Sequence, residues 1–374
     1  MKMILFSALA LVVLMTCHQS NAAIVSCRNE DGTELDWFTV YKLPKDKKAD
    51  NEYIKKGTAY ATFTSANENF VLSSTSINST KSIAGQTLNI LYNTNFNSTL
   101  NKIGYIMYND QSPMPDASDS DARAHAKGVI IFDDKNVVWL VHSVPKFPPA
   151  ASHAGSQYWI NPKQCKYGQS MICMSMPISQ LDTILKQLKI AWTQVYDFYI
   201  PPKHTMSQTL IAFANSSRIK DMPSSKETLT SNKGQQFIAL HKSSKFGADL
   251  YRDLVGPELG STVFAETWTN GVGTTPSNCS CPNSVFNINS IKLPYITFPN
   301  SKDHSKIGIV LSGKVPKYLC IGDINRQNSQ TERGGGTICI NNKQSLAIKY
   351  YSFINTVDGC DGKEAHLTTN MFCS

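Results

Sequence analysis

Short apolar runs of strand length, separated by polar, Pro- and Asp-rich segments, set the pattern of this chain. Helical spacing is rare, so the chain reads as β-rich with a few helices. Trp37 to Leu43 is an expected strand ended by Pro44, and charged Lys45 to Asn51 a loop. Ile103 to Tyr108 is a second strand. Asp110 to Asp121, rich in Asp, Ser and Pro, is an exposed loop. Gly128 to Phe132 and Val137 to His142 flank Asp133-Asp134-Lys135-Asn136 and predict a hairpin. Ser170 to Met176 is a further strand. Behind it, Ser179 resembles a helix N-cap with Asp182 three residues on, and Leu181, Ile184, Leu185 and Leu188 share one helical face. Pro201 to Gly234 is polar and irregular, a connection with a loosely structured loop. From Phe237 the pattern restarts. Phe246 to Val255 looks helical, and Val263 to Trp268 and Ile307 to Leu311 look like strands.

The first residues follow a different rule. Lys2, the apolar stretch Ile4 to Met15 and small residues at Ser20, Ala22 and Ala23 predict a secretory signal over residues 1–22. The apolar stretch is short for a membrane span, so no stable membrane association is expected. About 350 mature residues fit two domains or one two-part body. The expected division is an N-terminal half over 23–200, a connection over 201–235 and a C-terminal half over 236–374.

An exported chain changes the reading of its ten cysteines. Without Cys17, nine remain, and an oxidising compartment favours disulfides. Nine is odd, so at least one is free or pairs outside the chain. Cys279-Ser280-Cys281 is too tight for a zinc C-x-x-C and has no second ligand pair at finger spacing, so no metal is expected. Sequons at Asn78, Asn97, Asn215 and Asn278 are candidate glycosylation sites. The formal net charge is +8, which draws a protein to polyanions such as nucleic acid, heparin-like glycans or anionic lipid. The 17% charged and 41% hydrophobic composition is globular and excludes a disordered basic tail.

The candidate chemistry sits in two H-x-K tripeptides, His125-Ala126-Lys127 and His304-Ser305-Lys306, close to half the chain apart. In an extended strand, residues i and i+2 point to one face. Each tripeptide can aim an imidazole and an ammonium at one point, and both precede an apolar strand. Two such pairs around one phosphate make a site for phosphodiester cleavage that needs no metal. His142 ends a strand before Ser143-Val144-Pro145, where a structural and a catalytic role are equally open. Asp323 and Asn325 either orient a site residue or build a turn. Gly334 to Gly336 lacks the Lys of a P-loop and reads as a tight loop. His241, Lys242 and Lys245 read as a solvated charged face rather than phosphate contacts, and Trp37 and Trp268 as core.

These residues stand in longer pieces that resemble the deoxyribonuclease II family. The pieces include Asp36-Trp37-Phe38-Thr39-Val40-Tyr41-Lys42-Leu43-Pro44, Tyr108-Asn109-Asp110, His125-Ala126-Lys127-Gly128 and His142-Ser143-Val144-Pro145-Lys146-Phe147-Pro148. Tyr167-Gly168-Gln169, Ala248-Asp249-Leu250-Tyr251, Glu266-Thr267-Trp268, Asp303-His304-Ser305-Lys306, Cys320-Ile321-Gly322-Asp323-Ile324-Asn325-Arg326 and Arg333-Gly334-Gly335-Gly336 follow in order. The resemblance implies an α+β, or α/β, fold: a pseudodimer of phospholipase D-like halves, each a β-rich sandwich with flanking helices. It implies that His125, Lys127, His304 and Lys306 form one catalytic site, with His304 the most securely catalytic. It also implies an acid endonuclease of double-stranded DNA, lysosomal or secreted, that leaves 3′-phosphate and 5′-hydroxyl ends without a cofactor. Cys27 with Cys173, Cys320 with Cys339, and Cys279 or Cys281 with Cys360 are the implied pairings. Cys165, Cys373 and the other of Cys279 and Cys281 are left open. Ile307 stands where the family commonly has Trp. Two other readings use the same residues: a DNA-binding effector with weakened catalysis, and a phospholipid phosphodiesterase.

Overall fold

The computed structural model describes residues 25–114, 122–260 and 262–367. The expected signal segment, positions 115–121 of the Asp-rich loop and Cys373 lie outside the described residues. The fold is mixed α+β and dominated by two large sheets. The first has eight strands. In spatial order they are Val195–Tyr199, Gly104–Asn109, Lys127–Phe132, Asn136–His142, Gln169–Pro177, Trp37–Lys42, Tyr60–Thr64 and Asn67–Leu72. The second runs Ser224–Thr230, Gln236–Lys242, Gly335–Ile340, Val315–Gly322, Ile307–Ser312, Thr262–Glu266, Ser284–Leu293, Ile354–Asp358 and Glu364–Ala365, with Ile296–Pro299 beside Ser284–Leu293. Pairings are antiparallel except between Thr262–Glu266 and Ser284–Leu293.

Both sheets are covered on both faces, which explains why their central strands read as continuous apolar runs rather than alternations. Trp37 and Tyr41 point into a layer between the sheets, against a core that includes Phe264, Ile309, Ile321 and Ile338 of the second sheet. Phe38 and Val40, on the opposite face of the same strand, pack outward with Leu88 and Leu91 of the helix Ile83–Asn93. On the far side, Leu240, Val263 and Val310 pack against Tyr251, Leu254 and Val255.

The sheets share one sequence of parts. An H-x-K enters a strand (Lys127–Phe132; Ile307–Ser312) paired with its hairpin partner (Asn136–His142; Val315–Gly322). Next comes a strand leading into a helix (Gln169–Pro177 into Leu181–Ala191; Gly335–Ile340 into Gln344–Tyr351). Beside it lies a strand ending in a buried lysine (Trp37–Lys42; Gln236–Lys242). Each helix reaches the other half's sheet. Gln187 donates to Ser225 Oγ at 2.9 Å, and Tyr350 packs on Tyr41, Phe63 and Phe70.

Several expectations are corrected. Residues 37–199 supply one large sheet and residues 224–365 the other, and a sandwich forms between these two sheets because apolar faces of both meet in one shared core. Ser179 falls inside a 3₁₀ turn, Ile178–Gln180, and the helix behind it begins at Leu181 without a side-chain cap bond. The polar stretch 201–234 contains the helix Ser207–Ala214 and the strand Ser224–Thr230. That strand is an edge, half open to solvent, so backbone pairing to Gln236–Lys242 makes it a strand without apolar alternation. The helix expected over 246–255 is broken at Gly247, which has φ +64°. Gly335 and Gly336 open a strand instead of forming a loop. A Cβ on Gly334 would stand 2.0 Å from Ala191 O, so close backbone approach explains that glycine. His241 and Lys242 are buried, since their strand is paired on both sides; Lys245 is exposed.

Cys27 bonds Cys173, Cys279 bonds Cys360, and Cys320 bonds Cys339 directly opposite on the neighbouring strand. Cys281 is also disulfide-bonded, and Cys165 is a buried free thiol. Asn97 and Asn215 are exposed, while Asn78 and Asn278 are half-buried. Among the described residues, no helix is long and apolar enough to cross a membrane.

Candidate active site

Strand entry fixes the two H-x-K pairs at the same place in each sheet. Lys127 is the first residue of its strand, and Lys306 immediately precedes Ile307. The halves then interlock through main-chain bonds. The His125 N–H donates to Gly334 O at 2.9 Å, and the His304 N–H donates to Gly168 O at 2.9 Å. The Lys306 N–H donates to Ser170 Oγ at 3.2 Å. A Cβ on Gly168 would stand 2.4 Å from Asp303 Oδ1, so only glycine fits there.

Lys127 and Lys306 both lie within electrostatic reach of His125 and of His304. His304 is pulled down to about 3, first by burial and then by Lys306 and Lys127. His125 is held well below its ordinary value by burial, with Lys127 and Lys306 adding to it. Each imidazole therefore feels the ammonium of both tripeptides. Lys306 itself is pulled down to about 7, first by burial and then by Lys127. A phosphodiester between the lysines opposes every one of these depressions.

The His125 ring is oriented by Nδ1 against the Asp323 carbonyl at 2.6 Å, which leaves Nε2 4.0 Å from Asp110 Oδ2. Asp110 anchors this half. Its other oxygen accepts from the Lys127 ammonium, and Oδ2 accepts from Arg333 Nη2 at 3.1 Å. Burial alone raises its carboxyl, but Lys127, His125 and Arg333 overcome that and hold it well below the usual range. The His304 ring is placed by aromatic contact. It stacks on Tyr167 at 4.3 Å and meets Trp268 at 4.0 Å between centroids. Its buried Nε2 has no hydrogen-bond partner among the described residues. The Lys306 Nζ donates to the His304 carbonyl at 2.6 Å.

The supporting candidates divide. Asp323 reaches His125 through its backbone carbonyl, while its buried carboxyl is pushed up to about 8 by burial, against Lys127. Asn325 Oδ1 accepts the Trp268 backbone N–H at 3.3 Å, so it holds the main chain of the residue whose ring borders His304. His142 is fully buried, accepts the Val144 N–H at 3.2 Å through Nδ1, and is pushed down to about 3 by burial and Lys127. Trp37 is core, whereas Trp268 is half-buried beside His304.

Sequence reasoning gave no role to four residues at the site. Asp110 and Arg333 lay inside quoted motifs without a partner. Asp303 accepts from the Tyr41 hydroxyl and from the Ser305 N–H at 2.9 Å, and burial raises its carboxyl. Glu266 is 1% exposed with no partner for either oxygen among the described residues, and burial, then Asp303, push its carboxyl well above the usual range. Their contacts span residues far apart in sequence, so motif position was the available signal. Among the described residues, no cluster of three or more His, Cys, Asp or Glu is arranged to hold a metal.

Two imidazoles, two ammonium groups and an ordered carboxylate supply charges and proton-transfer groups suited to an anion. The family model for deoxyribonuclease II matches residues 26–360. Plancitoxin-1 of Acanthaster planci is 34% identical over 363 residues, covering 96% of this chain and 99% of its own. Deoxyribonuclease-2-alpha of Bos taurus is 36% identical over 91% of each chain, and deoxyribonuclease-2-beta of Homo sapiens is 36% identical over 92% of this chain and 94% of its own. The chain belongs to the deoxyribonuclease II family of DNA-hydrolysing nucleases.

Proposed function

We propose that this protein is an endonuclease that cleaves double-stranded DNA in acid, without a metal, to 3′-phosphate and 5′-hydroxyl ends. The observation that carries the reading is the crossed main-chain anchoring of the two histidines, His125 on Gly334 and His304 on Gly168, with Lys127 and Lys306 acting on both imidazoles. Lys127 and Lys306 hold the non-bridging oxygens and stabilise the charge that builds on them in the transition state. His304 attacks phosphorus and forms a phosphohistidine. His125 carries the proton to the leaving 5′ oxygen and then activates water. Asp110, 4.0 Å from His125 Nε2, favours the imidazolium that donation requires. One imidazole must be neutral and the other protonated, so lowering the pH promotes the active pairing until the nucleophile is also protonated. The duplicated order of parts supports a pseudodimer of phospholipase D-like halves with one site between them. The N-terminal apolar pattern and the disulfides support passage through the secretory pathway to a lysosome or the exterior.

The test is nicking of supercoiled plasmid near pH 5 in excess EDTA, with end-group analysis and mapping of the phosphoenzyme after a denaturing alkaline quench, which preserves a P–N bond. Persistent cleavage, 3′-phosphate ends and label on His304 are expected. Activity that disappears with EDTA and returns with Mg²⁺ overturns the mechanism. Label on His125 reverses the two imidazole roles.

A further inference from the structure

Two lysines outside both H-x-K pairs occupy equivalent places. Lys42 ends the strand Trp37–Lys42 opposite Gln169, and Lys242 ends Gln236–Lys242 opposite Gly335. Lys42 is 1% exposed and Lys242 0%. No carboxylate lies within ion-pair distance of either ammonium among the described residues. Each spends its donors on backbone carbonyls of one turn. Lys42 Nζ donates to Cys165 O at 2.7 Å, Gln164 O at 3.4 Å and Tyr167 O. Lys242 Nζ donates to Gln330 O at 3.0 Å, Thr331 O at 2.8 Å and Arg333 O at 2.6 Å. An ammonium has three tetrahedral donors and no acceptor, so three convergent carbonyls match its shape.

Each clamped turn meets the histidine of the opposite half. Residues 164–168 carry Tyr167, stacked on His304, and Gly168, whose carbonyl takes the His304 N–H. Residues 330–334 carry Arg333, bonded to Asp110, and Gly334, whose carbonyl takes the His125 N–H. A turn whose carbonyls converge on one point, wholly or partly out of water, is held in that arrangement by the donors that satisfy them. We infer that Lys42 and Lys242 are crossed positioning residues: Lys42 sets His304 through the 164–168 turn, and Lys242 sets His125 through the 330–334 turn. Neither half then builds its own histidine site alone.

The inference rests on the nuclease reading for its kinetic consequence, but its structural readout is independent of catalysis. The experiment records histidine ring NMR signals, kcat and KM for Lys42→Met, Lys242→Met and the charge-preserving Lys42→Arg and Lys242→Arg. A planar guanidinium fork does not reproduce the tripod, and the arginine variants serve where the methionine variants do not fold. Changes at position 42 are expected to move the His304 signals and leave His125 in place; changes at 242 do the reverse. With activity, kcat falls at least about tenfold and KM changes less than about twofold, because much DNA affinity is spread over phosphate contacts. Folded variants in which both histidines move alike, or neither moves, overturn the inference. A clean crossed pattern with full activity in His125→Ala and His304→Ala instead removes the catalytic reading and leaves the positioning intact.

Discussion

Replacing Asp110 with asparagine removes one charge and little volume from the centre of the site. The side chains of Asp110 and Lys127 are 4% and 3% exposed, and that of Arg333 is 11% exposed. Deleting one member of a buried ionic cluster strands the others, at a cost of about 3–5 kcal/mol. Asn Oδ1 still accepts one N–H, so the loss belongs at the lower end, about 3 kcal/mol. The native carboxyl is held below its ordinary range, so its contribution is present above the unfolded value and fades as pH falls through the folded one. Asp110→Asn should therefore lose the same stability at pH 5 and pH 7. Urea unfolding followed by tryptophan fluorescence measures it at both. Cleavage should fall about 100-fold, because Lys127 is loosened and the His125 imidazolium loses its counter-charge. A folded variant that loses less than about 1 kcal/mol, the scale of an exposed ion pair, refutes the view that Asp110 anchors this half.

His125→Ala and His304→Ala should each reduce nicking at least about 100-fold, with the double variant little worse than either, since groups in one unit are non-additive. DNA affinity should survive in both, and a folded His304→Ala with more than about a tenth of wild-type rate contradicts its role. Because Lys306 is drawn down to about 7, its charge and the rate that depends on it should be present below that pH and lost above it. Lys306→Arg should move the alkaline limb of the pH–rate profile upward at reduced kcat, and an unmoved limb excludes Lys306 as its origin. Removing the Cys320–Cys339 bond, with its sequence separation of 19, should cost about 3 kcal/mol by loop entropy, read as a lower urea midpoint in the Cys320→Ser, Cys339→Ser double variant.

The local part of this protein is legible in its residues. Apolar runs mark the central strands because those strands are covered on both sides, and each H-x-K leads into one of them. Turn residues at 133–136 specify the hairpin that follows Lys127. The edge strand Ser224–Thr230 leaves no such mark, since a half-exposed strand is held by backbone pairing. Tertiary structure decided which groups meet. Asp110 finds Arg333, Tyr41 finds Asp303, and Glu266 is buried without a partner among the described residues, all through the packing of one sheet on the other. Lys242 reads in the sequence as a solvated cation beside His241, yet it is fully buried against three carbonyls. Local periodicity reports the environment along one segment. The partner of a buried charge is chosen by a segment far along the chain, and that choice exists only once both sheets close on their shared core.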